Sequence, residues 1–346
     1  MPEIIADGTN GSLHVLPYLG TPPRFAGPVL HAGAGAAVLG RATVGRNTWF
    51  GARSVVRADG ETVTIGDDFH LGAGGTVHIA TDEYATTIGD GVTAGPGAVI
   101  HACAVGHGCL IGRNAVILDG SRLAPGVALA ADAVVYPRSE LKGGWLWAGA
   151  PAKPDRQLDN REFARMHAEA RTRPDEAALL PGGGSDLMFV AATARIAGSV
   201  TGAGGNGVWH GCEIDGGIFG VTLGADTNVQ DNSTLRAVAR PVDVGARVTI
   251  GHNVTMTDCA IGDGSLIGIG SILAPCTRVG REVLVAAGTR TGSGQILEDG
   301  HLYAGRPARR VKPLDAGRRA MISAIWPHYI KYARAFAEAQ RRAATP

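Results

Sequence analysis

Eleven histidines, five cysteines and 31 acidic side chains are the groups of this chain that could hold a metal ion or move a proton. The cysteines, Cys103, Cys109, Cys212, Cys259 and Cys276, are odd in number and show no CxxC spacing, which speaks against a zinc ribbon or a redox pair. They read as small, reduced core residues. Imidazoles offer more. Zinc takes imidazole nitrogens at about 2.0–2.1 Å, and a catalytic site characteristically has three protein ligands with the fourth position open to water. A water held there is acidified to a pKa of about 7, giving a metal hydroxide at neutral pH that can attack an electrophilic carbon. Taken one at a time, the histidines read as turn or surface residues. Arg57 with Asp59 reads as an ion pair and Gln230 with Asp231 as a turn cap. Chemistry therefore depends on the elements that bring such groups together.

Those elements are written as a repeat. An apolar residue, usually followed by Gly, recurs every six positions at Ile65, Leu71 and Val77, then at Ile88, Ala94 and Ile100. After one five-residue step it continues through Val105, Ile111, Ile117, Leu123, Leu129 and Val135. A second series runs through Leu223, Val229, Leu235, Val244, Ile250, Met256, Ile261, Ile267, Leu273, Val279, Val285 and Thr291, with its five-residue step in the same place. The offset is 158 residues up to Val77 and Leu235, and 156 from Ile88 and Val244 onward. One domain is therefore duplicated, and the first copy has two extra residues in the loop 79–87. A period of six fits neither a helix nor plain alternation. It fits short strands joined by turns around a three-sided coil, with one apolar residue per side pointing inward. Successive coils stack at about 4.7–4.9 Å, so equivalent residues on neighbouring turns can share a site. Handedness is not readable from the period.

Composition agrees with a narrow core. Of 346 residues, 52 are Gly and only 5% aromatic, so Val, Ile, Leu and Ala fill the interior. A formal charge of +1 argues against nucleic acid as a partner, and no apolar run is long enough to suggest a membrane span. Met1 to Gly20 lacks the pattern of a secretory leader, so a cytoplasmic location is expected. Between the copies, Asp159 or Asn160 can cap a helix with Phe163, Met166 and Ala170 on one face, ended by Pro174 and the Pro181-Gly-Gly-Gly184 linker. A C-terminal helix carries Ile322, Ile325, Tyr329, Ile330, Ala333 and Phe336, with a kink or break expected at Pro327. The domains are thus a first coil (25–153), a helix and linker (154–186), a second coil (187–312) and a final helix (313–346).

The motifs Trp209-His-Gly-Cys212, Thr227-Asn-Val-Gln-Asp231, Gly251-His-Asn253 and Gly305-Arg-Pro-Ala308 resemble the γ-class carbonic anhydrases and their relatives. In the first copy Trp49-Phe-Gly51, Arg57-Ala-Asp59 and Gly149-Ala-Pro-Ala-Lys153 carry the same likeness. The resemblance implies an all-β architecture of two tandem left-handed parallel β-helix (hexapeptide-repeat) domains, each followed by an α-helix. It also implies trimeric assembly and zinc held by three histidines at the boundary between protomers. The first family histidine falls on His78 in one copy and Arg236 in the other, the second on Pro96 and His252, the third on His101 and Thr257. Arg57 and Asp59 stand opposite Asp215 and Gly217, and Gln230 and Asp231 opposite Gly72 and Ala73. Each of these seven functional positions survives in one copy only, which implies one composite site rather than two decayed ones.

On that resemblance His78, His101 and His252 are the expected ligands of Zn2+, with Fe2+ or Co2+ as alternatives. Asp59 and Gln230 are expected to orient hydroxide or substrate, and Arg57 and Asp231 to form a bridging ion pair. Tyr303 aligns with a pocket tyrosine where the first copy has Trp147, and Asp82 and Glu83 follow His78 as candidate proton carriers. The expected function is that of a metal-dependent lyase acting on CO2 or another small electrophilic carbon. A hexapeptide-repeat acyltransferase using coenzyme A and a catalytically inactive assembly scaffold are the alternatives. The expected partners are a small-molecule substrate and either further copies of the chain or another γ-carbonic anhydrase-like domain in a mixed trimer.

Overall fold

The structure, a computed structural model, describes residues 13–80, 83–171 and 189–344. The six-residue period becomes strands of two or three residues separated by turns, each lying parallel to its counterpart one coil further on. Ile65 pairs with Ile88, Leu71's strand lies beside Ala94, and Val77 pairs with Ile100. Every position of both apolar series is buried. At about 1.5–3 kcal/mol per buried Val, Leu or Ile, this inward column is what closes the coil. The Gly that follows an inward residue has a steric cause. A Cβ on Gly72 would lie 2.5 Å from the Pro96 nitrogen, and one on Gly112 2.5 Å from the Ala130 carbonyl carbon, because the backbones of successive turns touch there.

The chain divides into two compact units, Met1–Ala178 and Leu179–Pro346. In the first, the long strand Val55–Ile65 pairs with Thr76–His78 by its start and with Thr86–Ile88 by its end, passing from one face of the coil to the next. Two faces thereby merge into a 12-stranded sheet, and the third face has eight strands. Pairing begins earlier than the boundary at residue 25 expected from sequence: His14–Leu16 already lies parallel to Ala37–Leu39. The second unit has separate faces of eight, five and six strands.

Both units end alike. Trp145–Ala148 turns back antiparallel into Lys153–Gln157, and His301–Ala304 into Arg309–Pro313, with the same pairing at an offset of 156 residues, including a register shift before Trp147 and before Tyr303. The hairpins carry the coils slightly past the expected ends at 153 and 312. A helix follows each one, α1 at Asn160–Arg171 and α2 at Ala316–Ala344. Asp159 caps α1, its Oδ1 accepting from Glu162 N at 2.7 Å, and Asp315 caps α2 by accepting from Arg318 N at 2.9 Å.

α1 docks on the first coil through polar ends: His167 Nε2 donates to Gly108 O at 3.0 Å and Arg171 Nε to Thr93 Oγ1 at 2.9 Å. The linker expected after it, Pro174 and Pro181–Gly184, lies outside the described residues. α2 is not split at Pro327. Proline removes one backbone donor, but Ile322 before it and Tyr329, Tyr332, Ala333 and Phe336 after it are all buried and keep the helix continuous across it. Their anchor is Trp209, whose ring meets Phe189, Tyr329 and Phe336 edge to face at 5.1, 5.4 and 5.8 Å. Trp49 is not its equivalent. By ladder register Phe50 answers to Val208, so Trp49 answers to Gly207, and its ring stacks between those of His31 and His70 at 4.4 and 4.1 Å. Four of the five cysteines are buried free thiols and Cys276 is partly exposed.

Among the described residues no helix is long and apolar enough to cross a membrane.

Candidate metal centre

In the first unit, one outward column runs up a single face of the coil. Pairing of Val56 with Val77 and of His78 with His101 puts Arg57, His78 and His101 on consecutive turns. Asp59 lies two residues beyond Arg57 on the same side of the strand, as the alternation of a β-strand requires. Its carboxylate sits between two cations or donors: one oxygen pairs with the Arg57 guanidinium and the other lies 2.9 Å from His78 Nε2. Arg57, Asp59 and His78 are all buried. A buried guanidinium beside a buried carboxylate is a costly pair to break, which keeps Asp59 in place as an acceptor for His78.

His101 lies against His78 with ring centroids 5.2 Å apart and the planes tilted by 51°. His78 Nδ1 and His101 Nε2 are 3.2 Å from each other, while His101 Nδ1 lies 2.6 Å from Asp119 Oδ1. Tautomers follow from the carboxylates. Asp59 accepts an N–H from His78 Nε2 and Asp119 one from His101 Nδ1, so the nitrogens turned toward each other are His78 Nδ1 and His101 Nε2. Nitrogens bound tetrahedrally to one ion at about 2.0–2.1 Å stand about 3.3–3.4 Å apart. The observed separation of 3.2 Å is close to that of two ligands on one ion.

In the second unit His210, Asp231 and His252 open turns on successive coils. Asn232 N donates to His210 O and Asn253 N to Asp231 O, each at 2.9 Å, and both Asn residues take the left-handed backbone that Asn tolerates. The stacking places Asp231 Oδ2 3.2 Å from His252 Nδ1, with both side chains buried. Asp231 Oδ1 accepts from His210 N at 3.1 Å, which fixes the carboxylate. His210 itself is engaged elsewhere, its Nδ1 lying 3.0 Å from Thr193 Oγ1.

In the first unit His78 and His101 rest on Asp59 and Asp119, and in the second His252 lies beside Asp231. Imidazoles backed by carboxylates are a donor set suited to a divalent ion. The residues present therefore fit a metal.

The other expected residues are placed less centrally. Gln230 is buried, its Nε2 donating to Asn228 Oδ1 at 3.3 Å. The Tyr303 hydroxyl accepts from Glu298 N at 2.8 Å, and Trp147, at the matching place in the first unit, donates from Nε1 to Lys142 O at 3.1 Å. Each ring is thus tied to the turn before its own strand. Glu83 is exposed in the turn after Ala80, and Asp82 lies outside the described residues.

Asp119 was missed in the sequence. The turn after His101 contains the five-residue step, so Ile100 pairs with Ile117 and Asp119 lies one residue past the position beneath His101, where the six-residue period alone does not point.

A family model for the hexapeptide repeat of succinyl-transferase matches residues 41–78 and 259–289. The chain is 33% identical over 156 residues to Gamma carbonic anhydrase 1, mitochondrial, of Arabidopsis thaliana, covering 43% of this chain and 57% of that protein. It thus spans little more than half the length of that relative. Against Protein YrdA of Escherichia coli (strain K12) it is 32% identical over 134 residues, covering 36% of this chain and 73% of YrdA. A solved protein of Desulfovibrio desulfuricans G20, described as an acetyltransferase, superposes with a TM-score of 0.54 over 84% of this chain and 70% of its own, at 18% identity, a likeness of fold alone. With repeat, register and the match to YrdA in agreement, the chain belongs to the family of hexapeptide-repeat β-helix proteins related to YrdA and the γ-carbonic anhydrases.

Proposed function

We propose that this protein is a metal-dependent enzyme of the γ-carbonic anhydrase type, with one site per chain, in which His78, His101 and His252 hold a single divalent ion. Zn2+ is the first choice and Fe2+ or Co2+ the alternatives. The observation that carries this reading is the approach of two imidazole nitrogens, His78 Nδ1 and His101 Nε2, to 3.2 Å, with the opposite nitrogen of each ring against a carboxylate. A divalent ion bound there lowers the pKa of its water to about 7 and supplies a nucleophile at neutral pH. The protein's own part is orientation. Asp59 holds the ring of His78 through Nε2, and Asp231 puts a buried carboxylate beside His252. Arg57 balances the charge of Asp59 inside the protein, and Gln230 offers an amide to direct a small substrate. That substrate is CO2 or another small molecule with an electrophilic carbon.

Metal analysis of the full-length protein, before and after reconstitution with Zn2+, together with a CO2 hydration assay, tests the reading. About one metal per chain with hydration activity is the expected result. Stoichiometric metal without hydration would reject CO2 as the substrate and leave the metal enzyme standing. A protein that binds no Zn2+ after reconstitution would overturn the proposal.

A further inference from the structure

Of the three carboxylates behind the candidate ligands, two are sealed in the interior and one is not. Asp59 and Asp231 are buried, whereas the Asp119 side chain is 40% exposed. His101 is also the most accessible of the three imidazoles, with 12% of its side chain exposed against near-complete burial for His78 and His252. Packing that fixes the other two rings is thinner here, so the contact from His101 Nδ1 to Asp119 Oδ1, at 2.6 Å, must supply more of the orientation. That distance is short for a hydrogen bond between an imidazole and a carboxylate and marks a strong, charge-assisted contact. In the second unit the residue 156 positions on is Pro275, which has no side-chain acceptor, and the residue answering to His101 is Thr257. Acceptor and ligand are thus present together in one copy and absent together from the other.

Resting on the metal reading above, we propose that Asp119 is a positioning residue of the site: it holds His101 in the Nδ1–H tautomer and so presents Nε2 to the ion. It touches neither the ion nor the substrate. Its effect passes through the ring of His101, and nothing in the sequence motifs of the two copies assigned it.

The test compares the full-length protein with Asp119→Ala and Asp119→Asn, using two readouts. The first is Zn2+ affinity by competition with a chromophoric chelator. Loss of a carboxylate behind a ligand histidine typically costs about 10–100-fold in affinity. Asp119→Ala is expected to fall in that range, and Asp119→Asn, whose amide oxygen can still accept from Nδ1–H, is expected to recover part of the loss. The second readout is 15N NMR of the His101 ring in the metal-free protein. The parent is expected to show the Nδ1–H form, Asp119→Asn to keep it, and Asp119→Ala to lose it, while the melting temperature of the metal-free protein stays the same. An affinity for Asp119→Ala within about twofold of the parent, or an unchanged His101 tautomer, would overturn the assignment. Because the NMR arm needs no metal, it separates the outcomes. A parent that binds no Zn2+ sinks the metal reading and with it the positioning role, whereas a parent that binds Zn2+ as tightly as Asp119→Ala sinks the role of Asp119 alone.

Discussion

Replacing His101 by Ala is the cleanest cut into the candidate centre, and the reason lies in what each ring covers. His78 and His252 rest on Asp59 and Asp231, which are buried, so deleting either ring strands an acceptor away from water at about 1–3 kcal/mol of stability. Asp119 is 40% exposed, so water can replace His101 at little cost. For the metal the balance is reversed. Structural zinc sites of four ligands bind with about 10–16 kcal/mol, roughly 2.5–4 kcal/mol per ligand, so losing one of three imidazoles should weaken Zn2+ binding by about 60- to 1000-fold. Chelator competition on the full chain measures this, and urea unfolding of the metal-free parent and variant serves as the control. The expected pattern is a large loss of affinity with a stability change under about 1 kcal/mol. A His101→Ala protein that holds zinc as tightly as the parent would refute His101 as a ligand. A large loss of stability in the absence of metal would show instead that the ring is a structural prop.

Two further outcomes concern the helices. Burial, and secondarily the nearby Arg171 charge, hold the His167 pKa below its ordinary value of 6.5 against the opposing pull of the Gly108 carbonyl. The folded protein therefore favours the neutral ring, so the docking of α1 is at full strength above about pH 6.5 and weakens as pH falls below it. Hydrogen exchange over 160–171 should accelerate on acidification beyond the intrinsic rate, and His167→Gln should remove that excess; a contact that strengthens in acid would contradict the tautomer assigned here. Trp209→Ala deletes a fully buried ring and its three edge-to-face contacts, and should cost about 3–5 kcal/mol in urea unfolding with α2 loosened, a result that a change below about 1 kcal/mol would contradict.

Much of the fold was legible before any coordinates. The six-residue apolar rhythm names the inward column from Ile65 to Val135 and from Leu223 to Thr291, and all of it is buried, because a coil this narrow has room for one side chain per face per turn. The duplication was equally plain, since the same spacing and the same five-residue step occur twice. Of the candidate site, the sequence supplied the identities through a family likeness and a partition: His78, His101, Arg57 and Asp59 in one copy, His252, Gln230 and Asp231 in the other.

The tertiary structure decided what depends on distance and direction. Hydropathy along a strand says that His101 points outward but not which nitrogen is spoken for; that required Asp119 one turn of coil below it. The course of α2 through Pro327 was set by the aromatic side chains that Trp209 gathers from positions far apart in the chain, against a local rule that expected an interruption. Tyr303 and Trp147 align in sequence, and the structure adds that each ring is tied to the turn before its strand, Tyr303 to Glu298 and Trp147 to Lys142. Periodicity is a short-range property and survives in a linear reading. Tautomers, helix packing and side-chain partners are fixed by groups that meet only once successive turns are stacked.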